Sequence, residues 1–492
     1  MMGMANPNTP VLVGVGQLQY RIKDLDEATE PLDMMLQACE KAAEDAGNPS
    51  LLSQVQSVRV ILGMWQYENP ARYIAEKFGA SNVQTTSTPV GGNQVQYTVN
   101  QTAIDILAGK FDLVLITGAE NGYSSAKARK AGTTLKWRET PGKYDAIIGY
   151  ERAEHHANEM AKGIRQAIQV YPMYDNALRY HKGETIAQHK KRVSELWSRF
   201  NDVAQGNPNA WIRDNYTPEE IITPSATNRP ISVPYTKLMN ANSAVDMSAA
   251  LIMCSIRKAE QLGIAKGKWI YPQAGADGVD HSNASIRDNF YTSPGVGITG
   301  NRALSLAGTS IDELSYVDLY SCFPSAVQIA ARELGLEETA QLTVTGGLTF
   351  GGGPIMNYVM HSIATMVELL RANPGAKGLI TGNGGNLSKH AHGIYSSEPP
   401  KQDFRFENVQ AEIDRLPSRE TLAEYHGDVT IESYTAMYAG EQPSIGHFAC
   451  LTPDGKRVWA NTQDKALLQS MTSEEFCGRA ATIDSDGNID VV

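Results

Sequence analysis

The hydrophobic positions of this chain alternate between two kinds of run, and the changes from one to the other mark its elements. Residues 11–15 (VLVGV) are a short, β-branched apolar run and read as a buried strand. Residues 30–46 carry helical spacing, with Leu32, Leu36 and Ala43 among the apolar positions, and Gly47-Asn48-Pro49 stops that helix. Residues 58–62 predict another strand. Val90-Gly91-Gly92-Asn93 then precedes residues 94–107, where Val95, Val99, Ala103, Ile106 and Leu107 share one helical face. Gly109 ends that helix. Residues 111–117 (FDLVLIT) are apolar without alternation, which predicts a parallel strand covered on both faces.

A similar unit returns later. Phe350-Gly351-Gly352-Gly353-Pro354 precedes a helix over 356–371, striped by Val359, Ile363, Val367 and Leu370. Asn373-Pro374-Gly375 breaks it, and a strand begins at Lys377. Both units read glycine turn, helix, then a strand ending in LITG, at Leu115 and at Leu379. Two such matches in one chain point to an internal duplication. Between them, residues 121–235 are polar and rich in Lys, Arg, His and Tyr, with helical stretches such as 184–200. They read as an insertion over the ends of the core strands, where insertions shape ligand access. After Ser396-Ser397-Glu398-Pro399-Pro400, segments 429–438, 443–451 and 457–459 alternate in polarity between turns, predicting a small antiparallel barrel or sandwich.

Composition narrows the functional classes. The 492 residues exceed what one compact core accommodates, so two or three packed units are expected. The formal net charge is −11 with no long basic run, which argues against nucleic acid as a partner. The five cysteines, Cys39, Cys254, Cys322, Cys450 and Cys477, are scattered and form no CxxC pair. That fits a reducing cytoplasmic compartment and supports neither a zinc site nor a disulfide framework. MMGMANPNTP has no charged and apolar leader, no apolar run reaches membrane length, and IDVV carries no peroxisomal address.

The glycine turns, the paired LITG strands and the string Tyr320-Ser321-Cys322-Phe323 together resemble the thiolase superfamily, over residues ~8–397. The nearest likeness is to thiolase-like proteins related to the sterol-carrier-protein thiolases, in the subgroup with an added C-terminal domain. The resemblance implies an α/β fold: a duplicated five-layer α-β-α-β-α core with its site where the halves meet, plus a C-terminal β-barrel of OB type. The expected units are 1–265 with the insertion 121–235, then 266–400, then 401–492. Thiolases are coenzyme A-dependent, which implies CoA or acyl-CoA as the ligand, no metal, and a place in lipid metabolism.

The family's catalytic groups map onto residues that cannot perform them. Counting back from Gly109 puts the nucleophilic cysteine position at Gly92, which serves either close approach to an acyl group or a tight turn. The Asn-Glu or His-Asp pair falls on Tyr320 and Ser321, the Gly-His-Pro on Gly352-Gly353-Pro354, and the Cys-x-Gly-Gly-Gly turn on Gly382 to Asn386. What persists is Asn240 to Ala250, resembling the Asn-Ala-Ser-Gly segment beside CoA, with Ser243 at the serine position. Gly92, Asn93, Ser243, Tyr320, Ser321, Gly353 and Gly384 are therefore expected to bind the ligand. Pro324 suits the first position of a helix, which puts Cys322 near its N-terminus: either a thiol of lowered pKa or a small buried hydrophobe. His390 is the accompanying catalytic candidate. His390 and His392 alternate in SKHAHG and could instead suggest a metal or lie in the core.

Three functions are compatible with this pattern. The first is an acyl-CoA-dependent acyltransferase or C–C bond lyase of the acetyl-CoA acetyltransferase type with altered catalytic residues. The second is a non-catalytic acyl-CoA-binding or partner-binding protein, and the third is a role seated in the C-terminal unit. The oligomeric state is open between monomer and dimer.

Overall fold

The computed structural model describes residues 6–151 and 153–491. The opening MMGMA and the final Val492, which belong to the leader and address readings above, lie outside them.

Two sheets share one pairing plan. In the first, strand Pro10–Gln19 runs antiparallel to Asp246–Ser255, which is antiparallel to Leu113–Asn121, which is parallel to Ser57–Val60. In the second, Tyr271–Val279 runs antiparallel to Lys389–Ser396, which is antiparallel to Lys377–Gly384, which is parallel to Tyr316–Asp318. The order antiparallel, antiparallel, parallel thus occurs twice. The strand carrying the first LITG has one parallel and one antiparallel neighbour, so its unbroken apolar run reflects burial on both faces rather than all-parallel pairing.

Helices fill the spaces between and outside the sheets. Pro31–Asp45 begins with proline at its first position, buries Leu32, Met35, Cys39 and Ala42, and covers the outer face of the first sheet. Gln94–Leu107 and Tyr358–Ala372 contact strands of both sheets and lie between them. Pro294–Ala307 covers the far face of the second sheet and ends at Gly308 in the left-handed conformation. Pro324–Leu334 packs on that helix and on the insertion, and it also ends at a left-handed glycine, Gly335.

The insertion contributes Ala167–His181 and Ile186–Gly206, the second opened by a Thr185/Gln188 capping box. Inside it, Asp175 is buried against the His189 ring at 3.0 Å and accepts from Gln328 at 2.6 Å. The His189 and Gln328 contacts outweigh desolvation and hold the Asp175 carboxyl below its ordinary range.

The C-terminal strands Gly427–Ala439, Gln442–Leu451, Arg457–Thr462, Ala480–Ile483 and Ile489–Val491 form an antiparallel sheet. Among the described residues no closed barrel of the OB type that the resemblance implied is found. The edge strands meet only at one isolated parallel bridge, Asn461 with Asn488, which is too little for a continuous ladder. Strand Arg405–Asn408 does not join this sheet either. It adds to the edge of the second core sheet, parallel to Tyr271–Val279.

Arg457 fastens the C-terminal sheet to the core. Its buried guanidinium pairs with Glu432 at 2.7 Å, donates to the carbonyl oxygens of Ala284 and Ser285 at 3.0 Å, and lies over the Phe290 ring. Removing one member of a buried pair strands the other, at a cost of about 3 kcal/mol or more. Arg457→Met is therefore expected to lower the chemical-denaturation stability by about 3 kcal/mol. Adding Glu432→Gln should restore part of that loss, and equal stability of both variants would contradict the assignment.

Candidate functional site

The glycine turn ahead of helix Gln94–Leu107 meets the turn that follows strand Lys377–Gly384. No side chain fits between them: a Cβ on Gly384 would lie 3.2 Å from Gly91 Cα and Gly92 N, and one on Gly382 would lie 3.0 Å from Asn93 Cα. A Cβ on Gly92 would come within 2.2 Å of the Tyr320 hydroxyl and 2.4 Å of the Asn383 carbonyl oxygen. The Asn240–Ser243 segment is stitched into the same place. Ala241 N–H donates to the Cys322 carbonyl at 2.9 Å, and Gly353 N–H donates to the Asn242 carbonyl at 3.0 Å.

Around this junction lies a cavity of about 290 Å³. Six expected residues line it together: Gly92, Ser243, Tyr320, Cys322, Gly353 and Gly384. A second chamber of about 380 Å³ shares Ile168, Asn240, Ala241 and Ser243 with it and carries exposed Arg229 and Lys237. A larger groove of about 720 Å³ lies elsewhere, walled by Trp65, Tyr67 and Trp137, and holds none of the expected residues.

Three expected residues do not face the cavity. Asn93 is buried behind the turn, its side-chain oxygen 2.6 Å from where a Gly384 Cβ would stand. Ser321 accepts a hydrogen bond from Leu348 N–H at 3.2 Å and so braces the glycine turn instead of meeting a ligand. His390 is the clearest correction. It lies buried near Asp280 and Arg287 and 6.4 Å from His392, on the face of its strand turned toward helix Pro294–Ala307. Burial drives its pKa down to about 4 against the pull of Asp280. It is a neutral core imidazole, away from the cavity. Among the described residues no group of three or more His, Cys, Asp or Glu is placed to hold a metal.

Cys322 does reach the cavity wall, but not as an activated thiol. Burial pushes it up to about 12. The Tyr171 hydroxyl, nearby backbone N–H groups and the Asn383 amide act the other way and do not prevail. The helix begins at Pro324 as expected, yet desolvation outweighs its N-terminus.

Several wall residues carried no readable sequence signal. Tyr171, from the insertion, stacks on Phe323 at 4.4 Å, donates to the Gly385 carbonyl at 3.2 Å, and accepts from Asn383 Nδ2 at 3.1 Å and Leu387 N–H at 2.9 Å. Glu154 pairs with Lys389 at 2.6 Å, and Lys389 also donates to the Val90 carbonyl. Nothing in the local pattern at Glu154 or Tyr171 distinguishes them from other insertion residues. Only the folded insertion sets them against the glycine turns.

Fold and site together define a thiolase-like protein. Solved structures of under 25% identity share the fold: an acetyl-CoA acetyltransferase from Syntrophomonas wolfei (17% identity, TM-score 0.54, 80% of this chain and 100% of that one) and an Ltp2–ChsH2(DUF35) aldolase (18%, 0.59, 80% and 98%). The family described as the additional C-terminal domain of thiolase-like protein type 1 matches residues 408–488. The crystal structure of a monomeric SCP2-thiolase-like protein type 1 from Mycobacterium smegmatis is 30% identical over 99% of this chain and 100% of that one, with a TM-score of 0.86. The chain belongs to the SCP2-thiolase-like protein type 1 family, thiolase-like proteins with an additional C-terminal domain. Among curated relatives, an acetyl-CoA acetyltransferase of Methanocaldococcus jannaschii is 21% identical over 54% of this chain, and one of Pseudomonas aeruginosa is 30% identical over 29%. The matches span 61% and 34% of those proteins, less than two thirds of either.

Two outcomes follow from the charge states. Native protein treated with iodoacetamide at pH 8 should leave Cys322 unmodified on the timescale that labels the unfolded chain, read by peptide mass spectrometry. A folded pKa near 4 for His390, against an ordinary ~6.5, means that the unfolded chain binds the extra proton as pH falls between the two values. That stability is full above ~6.5 and declines toward pH 4. His390→Asn should therefore gain on the parent by up to about 1.4 kcal/mol per pH unit in that window, in denaturation midpoints taken at pH 7 and pH 5.

Proposed function

We propose that this protein binds an acyl-CoA thioester where the glycine turns of its two halves meet, without forming a covalent acyl-enzyme. The observation that carries this reading is the cavity wall itself: backbone-lined glycine turns and Ser243 surround a space whose one thiol, Cys322, is held protonated by burial. The mapped nucleophile and histidine positions hold Gly92 and Gly353, which supply no group for acyl transfer. The adjoining chamber adds to the support. Its Arg229 and Lys237 offer cations to a phosphate-bearing carrier, and the two volumes fall in the range of small-molecule sites. Acyl transfer through Cys322, the alternative, would need a thiolate that desolvation opposes.

The finer architecture is read in the same way. The insertion 121–235 forms a lid over two core halves, the C-terminal unit begins after Asn408, and its single Asn461–Asn488 bridge fits a nearly closed OB-type sheet. Ala146–Ile147 pairs along the edge of Gln84–Ser87, which favours a single copy, the state named for the Mycobacterium smegmatis relative. Five buried free cysteines suit a cytoplasmic setting.

Calorimetric titration with an acyl-CoA should give saturable binding at one site per chain. The intact mass after incubation should be unchanged, and Cys322→Ser should retain the parent affinity within about threefold. A stable acyl adduct, or the absence of any binding, would sink the proposal.

A further inference from the structure

Nearly every buried tyrosine around the junction has its hydroxyl engaged. Tyr171 bonds the Gly385 carbonyl, Tyr174 the Asn386 carbonyl, Tyr358 the Asp318 carboxylate, and Tyr395 the Gln96 side chain. Tyr320 differs. Its backbone N–H is fixed on Thr381 Oγ1 at 2.8 Å and its ring packs edge-on against Tyr358 at 5.7 Å, so the side chain is held at both ends of its stem. Its hydroxyl makes no hydrogen bond to any described residue, although the ring is buried and lines the cavity. The hydroxyl opens into the cavity, so a bound molecule can complete it.

The place of that hydroxyl is specific. It stands 2.2 Å from where the first side-chain atom of residue 92 would be, at the mouth of helix Gln94–Leu107. A glycine at 92 and a tyrosine at 320 therefore fit one another: any side chain at 92 would displace the hydroxyl. Burial, with the charge of Glu154 nearby, keeps the phenol protonated, so it presents a proton and acts as a donor. The neighbouring Asn383 amide is already turned to Tyr171 and Cys322, which leaves Tyr320 and Ser243 as the hydroxyl donors of this wall, and of the two Tyr320 is the one set against Gly92. A donor in a largely apolar cavity calls for a carbonyl oxygen, and helix N–H groups beside it favour the same partial negative charge.

We propose that the Tyr320 hydroxyl donates the hydrogen bond that reads the thioester carbonyl, so that the site selects acyl thioesters over carriers lacking that oxygen. This rests on the acyl-CoA reading above. Tyr320 is then a specificity residue standing in the space vacated at Gly92.

The test compares an acyl-CoA with the S-alkyl-CoA thioether of equal chain length, by calorimetry on the full-length protein. The parent should prefer the thioester by about tenfold, the size of one net hydrogen bond. Tyr320→Phe keeps the ring packing; its affinity for the thioether should be unchanged and its preference should fall below about twofold. A second reading needs no variant: the infrared carbonyl stretch of a 13C-labelled thioester should move to lower wavenumber on binding to the parent, and this shift should vanish in Tyr320→Phe. Equal binding of both ligands by the parent, an unshifted carbonyl, or a preference retained in Tyr320→Phe each overturns this inference alone. Binding of neither ligand overturns the acyl-CoA reading and this inference with it.

Discussion

The structure depends on a contact between two stretches of backbone. The turn at Gly91-Gly92 and the turn at Gly384 come from different halves of the chain, and they touch where even a methyl group would not fit. Close packing of this kind sets the separation of the two sheets and the entry point of the central helices, and it leaves beside it a space walled by main chain. Ser243, Tyr320, Cys322 and Gly353 reach that space because the segments carrying them are hydrogen-bonded to the same junction. Changes in chemistry at single positions can leave such a scaffold standing, since the contact depends on what is absent from the glycines.

Within that space, desolvation decides the charge states. Cys322 lies two residues before a helix start, a position that would favour a thiolate in a wetter setting, yet the surrounding Tyr171, Phe323 and Asn383 exclude water and keep the thiol neutral. His390 and His392 yield to the same effect within the second sheet, where burial leaves them uncharged. The sole carboxylate of the cavity wall, Glu154, is matched by Lys389, which is itself almost fully covered. The wall thus bears no unpaired charge.

How much of this could be read from residues alone varied with the reach of each signal. The repeated glycine turn, helix and LITG strand are local, and the helices Gln94–Leu107 and Tyr358–Ala372 lie within two residues of their expected limits. Six cavity residues were legible because glycine turns and the Asn240–Ser243 string have distinct local chemistry. Asn93, Ser321 and His390 lie off the cavity because local pattern does not say which way a side chain turns once distant segments pack. Tyr171 and Glu154 were invisible, since their role arises only when a long insertion folds back. Closure of the C-terminal sheet lay beyond the local pattern, which left barrel and sandwich open: alternation predicts strands, whereas closure depends on edges brought together by turns and helix Lys465–Ser470. Strand Arg405–Asn408 carried no separate signal, because its partner, Tyr271–Val279, is distant in the chain.

The insertion and the C-terminal sheet are woven into one another. Pro230–Ser232 pairs with Met437, Asn176 Nδ2 donates to the Tyr434 carbonyl across a separation of 258 residues, and Ser433 donates to the Met173 carbonyl. A ribosome making this chain releases the insertion long before its partner strands exist. Until strand Gly427–Ala439 emerges, the side of helix Ala167–His181 that it covers stays open, and the cavity wall on that helix lacks its outer support. The cavity wall at Ala167, Ile168 and Tyr171 is therefore set not by its own neighbours in the chain but by a strand 258 residues downstream of its helix.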